Sequence, residues 1–153
     1  MTWVAQATSL PPLEAAAKAR LAQLTPFDAP KGTALFHPGD AVKGFVVVLK
    51  GRVDVFLTGP SGREILLYAV EPGQSCIQST LGLMGGEDYS GEAITRTDCR
   101  LVLIPRDMFL DLMDQSDAFR GFVFRAFATR MQSMMHLLDR AEGNSLTATH
   151  AEI

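Results

Sequence analysis

Between Thr33 and Pro105, short apolar runs rich in Val, Ile, Leu and Phe alternate with polar turn clusters. Ala34–Phe36, Gly44–Leu49, Arg52–Leu57, Glu64–Val70 and Arg100–Ile104 have the length and residue types of strands. The punctuation is "HPGD" at 37–40, "KG" at 50–51, "TGPSGR" at 58–63, "EPG" at 71–73 and "GGED" at 85–88, each with a glycine where positive φ costs least. Many short strands at near-regular spacing predict an all-β barrel, roll or sandwich. The flanks have another period. Pro11–Leu24 carries Leu13, Ala17, Leu21 and Leu24 at helical spacing behind an initial proline, which predicts a short amphipathic helix, and "TPFDAPKG" breaks it. After Pro105 the period returns to about 3.6 residues. "PRDMFLDLMDQS" predicts a short helix, and Asp117 starts a long one running through Arg140 to a break at Glu142-Gly143.

In the long helix, Phe124, Phe127, Met131, Met134, Leu138 and Ala141 follow one another at steps of three, four, three, four and three, the spacing of an a/d heptad seam. Phe119, Phe122, Val123 and Ala126 form a second stripe that would pack on the β region. A helix with two apolar faces has two partners to satisfy, and its own domain is one of them. The seam therefore predicts a homodimer; the alternative is a single wide core face. At the end of the chain, Thr149, His150, Ala151 and Glu152 form the S/T-x-x-E pattern that opens a helix.

A chain of 153 residues with 47% apolar content supports one core plus terminal helices. Net charge −3 and a pI near 5.5 give no electrostatic footprint for nucleic acid. The N-terminus lacks the pattern of a secretory signal and no stretch has the length of a spanning helix, so the expected location is the cytoplasm and no membrane partner is expected. Two cysteines, Cys76 and Cys99, fit a reducing compartment and are too few for a structural zinc site or an iron–sulfur cluster.

The order of helix, β region, short helix and heptad helix, with "G-x-V-x-V" at Gly51–Val55, "EPGQS" at Glu71–Ser75 and "LGL" at Leu81–Leu83, resembles the sensor domain of the Crp/Fnr family of bacterial transcription regulators over about residues 13 to 141. The resemblance implies a mainly β fold with flanking α: a β-roll (double-stranded β-helix) like the cyclic-nucleotide-binding domain, then a long dimerisation helix. It divides the chain into an N-terminal helix and lead-in at 1–30, a β-roll sensor at 31–105, the two helices at 106–141, and at 142–153 the stub of a helix-turn-helix DNA-binding domain that is absent. The step from seam to stub is shorter than the family pattern, which implies a truncated chain or one with an internal piece missing. DNA would be bound only through that C-terminal domain.

The same resemblance identifies "SCIQSTLGLMGGEDYSGEA" at 75–93 as the effector cassette, with Gln78, Ser79, Thr80, Leu81, Gly82, Tyr89, Ser90 and Gly91 as pocket residues. Nucleotide-binding members carry F-G-E-L-x-L and then R-S/T-A; there the glutamate accepts from the ribose hydroxyl and the arginine neutralises the phosphate. Here the glutamate position is Thr80, the arginine position is Tyr89 and the alanine is Gly91; Ser90 alone matches. An arginine–phosphate pair contributes roughly 1.5 to 3 kcal/mol, and a buried unpaired phosphate costs more. Where nucleotide-binding members place Thr-Ser on the long helix, this sequence has Met134-Met135. The expected effector is therefore a small molecule or redox signal other than cyclic AMP.

Hydroxyls at Thr80, Tyr89 and Ser90 also fit simple satisfaction of backbone groups. Cys76 is the candidate redox thiol, although no lysine or arginine lies within ten residues of it; Cys99 reads as core. Haem would need axial ligands, for which His37 and His136 are the histidine candidates, each read first as an ordinary turn or helix residue; the cofactor is otherwise unknown and no metal site is expected. A cupin-like metalloenzyme lacks clustered histidines, and acyl or phosphoryl transfer lacks G-x-S-x-G and P-loop markers, so a non-enzyme is expected. The alternative function is a stand-alone ligand-binding or dimerisation module acting through protein partners without DNA.

Overall fold

The computed structural model describes residues 3–7 and 10–152, with side chains described as far as residue 136. Two short helices, α1 (Trp3–Gln6) and α2 (Ala15–Ala22), lead into seven strands: β1 (Phe27–Ala29), β2 (Ala34–Phe36), β3 (Gly44–Lys50), β4 (Val53–Thr58), β5 (Glu64–Val70), β6 (Glu92–Thr95) and β7 (Cys99–Pro105). Helix α3 (Ile77–Gly85) interrupts the strands between β5 and β6, and α4 (Arg106–Gln115) and α5 (Asp117–Glu152) close the chain. All strand pairings are antiparallel, in a three-stranded sheet of order β1-β7-β3 and a four-stranded sheet of order β2-β6-β4-β5. Val46 and Val48 of β3 face Val53 and Val55 of β4 and Val70 of β5 across the space between the sheets. This is the expected mainly β roll with flanking helices and a long C-terminal helix.

Strand β3 is buried along most of its length rather than alternating, because both of its faces are covered. Phe45 turns outward from the roll and stacks on Phe109 of α4 with ring centroids 5.2 Å apart. Phe109 in turn meets Phe119 of α5 edge-on at 5.8 Å. All three rings are fully buried, so one aromatic chain fastens the sheet to α4 and α5. The N-terminal helices are tied on separately: the Trp3 indole donates to the carbonyls of Leu21 and Leu24, and Ser116, which accepts from the Phe119 amide at the start of α5, donates to Glu14 at 2.7 Å.

The break expected at Glu142-Gly143 does not occur, and α5 is continuous for 36 residues. One glycine inside a helix costs only about 1 kcal/mol relative to alanine, too little to end a helix already propagating. Thr149–Glu152 accordingly lie within α5 rather than opening a further helix.

Candidate effector site

The cassette is built from the end of β5, helix α3 and the loop into β6. Gly82 lets α3 lie against the loop before β3: a Cβ there would strike the Val42 side chain and come within 2.6 Å of the Glu87 carbonyl oxygen. Gly91 has a similar role at β6, where a Cβ would sit 2.8 Å from the Phe56 carbonyl oxygen. The alanine implied here by the nucleotide-binding pattern would therefore not fit without a shift of the neighbouring strand.

Held in this way, the predicted pocket residues divide into two sets. Ser79, Thr80, Gly82, Tyr89 and Gly91 are buried and Gln78 partly so, whereas Leu81 and Ser90 are exposed on the outside of the cassette. Thr80 does not face the Tyr89 loop; its hydroxyl donates to the Cys76 carbonyl one turn back in its own helix. Gln78 makes the crossing instead, its Oε1 accepting from the amides of Ser90 and Gly91 at 3.2 and 3.0 Å. Tyr89 lies inward, stacked on Phe36 with centroids 3.6 Å apart, and its hydroxyl shares a 2.7 Å hydrogen bond with Ser79. Burial pushes the Tyr89 phenol up to about 12, so it stays neutral. The void behind the cassette, between Phe36, Val55, Val70, Cys76 and Ser79, has about 10 Å³ of free volume, room for at most one water.

The structure also gathers residues that the sequence leaves apart. Cys76 Sγ lies 3.3 Å from the Tyr68 hydroxyl, which accepts from the Gln78 amide. The Tyr68 ring lies under the guanidinium of Arg130, whose carbon is 5.1 Å from the ring centroid, and Arg130 also donates to the Ala69 carbonyl. Burial, then the neighbouring Cys76, pushes the Tyr68 phenol upward, and burial lowers Arg130. A cation from α5 therefore reaches the thiol's surroundings through one aromatic ring. No local signal around Cys76 announces this, since Arg130 belongs to a different element. Cys99 is buried and donates to the Arg52 and Thr97 carbonyls.

The haem candidates do not converge. His37 sits at the surface with Nδ1 3.3 Å from Glu92, and His136 is exposed on α5. Among the described residues no three His, Cys, Asp or Glu side chains are grouped to hold a metal, and no helix is long and apolar enough to cross a membrane. On α5, Phe119 and Val123 are fully buried, as expected of the stripe facing the roll. The seam residues separate: Phe127 and Met134 pack partly on the core, Phe124 and Met131 remain 49% and 36% exposed, and Leu138 lies beyond the described side chains.

Comparison with known proteins places this geometry. The chain is 27% identical over 110 residues to a CRP-like cAMP-activated global transcriptional regulator of Mycobacterium tuberculosis, an alignment covering 72% of this chain and 48% of that one. It thus spans about half the length of the curated relatives it matches. Among solved structures, it superimposes with TM-score 0.72 and 23% identity on a protein of Eubacterium rectale described as a transcriptional regulator of the Crp/Fnr family, covering 84% of this chain and 60% of that one. With the c-di-GMP responsive global regulator CLP of Xanthomonas campestris the TM-score is 0.67 and the identity 24%, over 88% of this chain and 65% of that one. These structural likenesses establish the fold. Residues 26–116 match the cyclic nucleotide-binding domain, and with the fold and cassette described above the chain belongs to that family.

Proposed function

We propose that this chain is the effector-sensing, dimerising part of a Crp/Fnr-type DNA-binding transcription regulator, and that its effector is not cyclic AMP. The relatives support the first half: the curated ones are cAMP-activated global transcriptional regulators, and the Xanthomonas neighbour is a c-di-GMP responsive one. DNA binding would belong to a helix-turn-helix domain beyond the sensor, with α5 as the dimerising and transmitting element. Tyr89 carries the second half. It replaces the expected phosphate-neutralising cation with a buried neutral phenol whose hydroxyl is already engaged by Ser79. Gln78 likewise spends its acceptor on the cassette's own backbone. The proposed mechanism is a population shift: a change in packing at residues 76–91 alters α5 and so reorients whatever α5 carries.

A ligand that binds only the folded state must raise its melting temperature, by about 2.7 kcal/mol of stability at a concentration 100 times Kd. Cyclic AMP at about 1 mM is therefore expected to leave the thermal transition unmoved. A clear upward shift would refute the reading of Thr80 and Tyr89 as a lost nucleotide site.

A further inference from the structure

We infer that a cleft outside the cassette, between the Gly73–Ser75 loop and α5, binds a small organic anion with an apolar portion. The cleft has a volume of about 360 Å³, within the range of small-molecule sites, and no residue from 78 to 91 lines it. Its floor is Ser75, only 1% exposed, whose hydroxyl is the one buried side-chain polar atom without a hydrogen-bond partner among the described residues. A buried hydroxyl left unpaired is destabilising, and a small shift of the Gly73–Ser75 loop would let a ligand oxygen in the cleft pair with it.

The wall opposite Ser75 supplies the charge. Arg125 and Arg130 both line the cleft, and among the described residues neither pairs with a carboxylate within salt-bridge distance. Thr129 and Ser133 add hydroxyls on the same face of α5, one turn apart, and Phe122 with Leu10 supplies apolar surface. Cations and hydroxyls beside an apolar wall select a ligand with an anionic head and a hydrocarbon or aromatic body. At 100° per residue, the centre of this face lies about 150° around α5 from the centre of the Phe124–Met131 seam. A dimer formed through the seam therefore leaves the cleft open. Because Ser75 adjoins Cys76 and Arg130 lies over Tyr68, an anion bridging floor and wall would clamp the start of the cassette to α5.

Octanoate and phenyl phosphate, each paired with its neutral counterpart octanol or phenol, test this by isothermal titration calorimetry on the whole chain. At least one anion is expected to bind, its affinity falling about tenfold in Arg125→Gln, a substitution at an exposed position, and severalfold in Thr129→Val. The neutral counterparts are expected to bind at least tenfold more weakly. Lack of binding by both anions at about 10 mM overturns the proposal. So does binding that is equal in both variants, or equal for anion and neutral counterpart. Failure here would leave the reading of the cassette intact, since that reading rests on Tyr89 and Gln78.

Discussion

At the scale of single residues, the proposed effector reading turns on Tyr89. The resemblance implies a phosphate-neutralising cation at this position; a phenol stacked on Phe36 and bonded to Ser79 belongs to the protein's own interior. The consequence is measurable through its ionisation. The folded-state value is raised by burial to about 12, above the ordinary value near 10, so the unfolded chain loses this proton first as pH rises. Stability from Tyr89 is thus complete below about pH 10 and is lost progressively as pH climbs toward 12, by at most 2 to 3 kcal/mol, order of magnitude. Tyr89→Phe should cost about 1 kcal/mol at neutral pH, by leaving Ser79 unpaired, while flattening the alkaline decline. Tyr68, which burial also pushes upward, retains part of that decline in both proteins. Urea unfolding at intervals between pH 8 and 11.5 gives both slopes, and parallel curves would show that Tyr89 is not buried as described.

At the scale of elements, alternation and residue type made most of the roll readable, because strands such as β4 and β5 have lengths and turns specified locally. The elements missed are those specified from afar. Strand β1 is three residues beside Pro30, and it is a strand because Phe27, Asp28 and Ala29 find Leu101, Arg100 and Cys99 of β7. Helix α3, "IQSTLGLMG", contains two glycines, a serine and a threonine, so its intrinsic preference is weak. It is held by the approach of Gly82 to Val42 and by the Ser79–Tyr89 bond, neither visible as a pattern. For the candidate site, the resemblance pointed to residues 75–93 and included Gln78, but it did not indicate that the Gln78 side chain would make the crossing to Ser90 and Gly91 while Thr80 bonds within its own helix. Arg130 comes over Tyr68, and to the same cleft as Ser75, only through tertiary packing. The same distinction predicts where stability is concentrated. Phe109, fully buried between Phe45 and Phe119, joins β3 to α5, so Phe109→Ala should cost about 3 to 5 kcal/mol in urea unfolding. Phe122, half-buried at 6.4 Å from Phe119, should cost clearly less on truncation. A reversed order would sink the aromatic chain as the link between roll and helix.

At the scale of the whole molecule, α5 carries apolar surface that its own domain does not fully cover. A 36-residue helix is about 54 Å long, and among its described side chains the roll fully buries those near the start, Phe119 and Val123. Phe127 and Met134 turn partly toward the core while Phe124, Met131 and Met135 are exposed, Met135 by 58%. This arrangement lies between the two sequence readings: one edge of the seam merges with the core face and the other is exposed. A second copy of the chain would cover that edge by the knobs-into-holes packing its heptad spacing permits. Met131→Asp would then place an unpaired charge at a buried contact, a cost of several kcal/mol per interface and hence a shift of two or more decades in dimer affinity. Analytical ultracentrifugation at micromolar protein should show a dimer for the parent and a monomer for this variant. Gln132→Asp is the control, because it places the same poor helix former one residue along on an exposed face away from the seam. If both variants dissociate equally, the effect belongs to helix propensity; if neither does, the seam is not the interface. Only loss confined to Met131→Asp assigns dimerisation to this edge of α5.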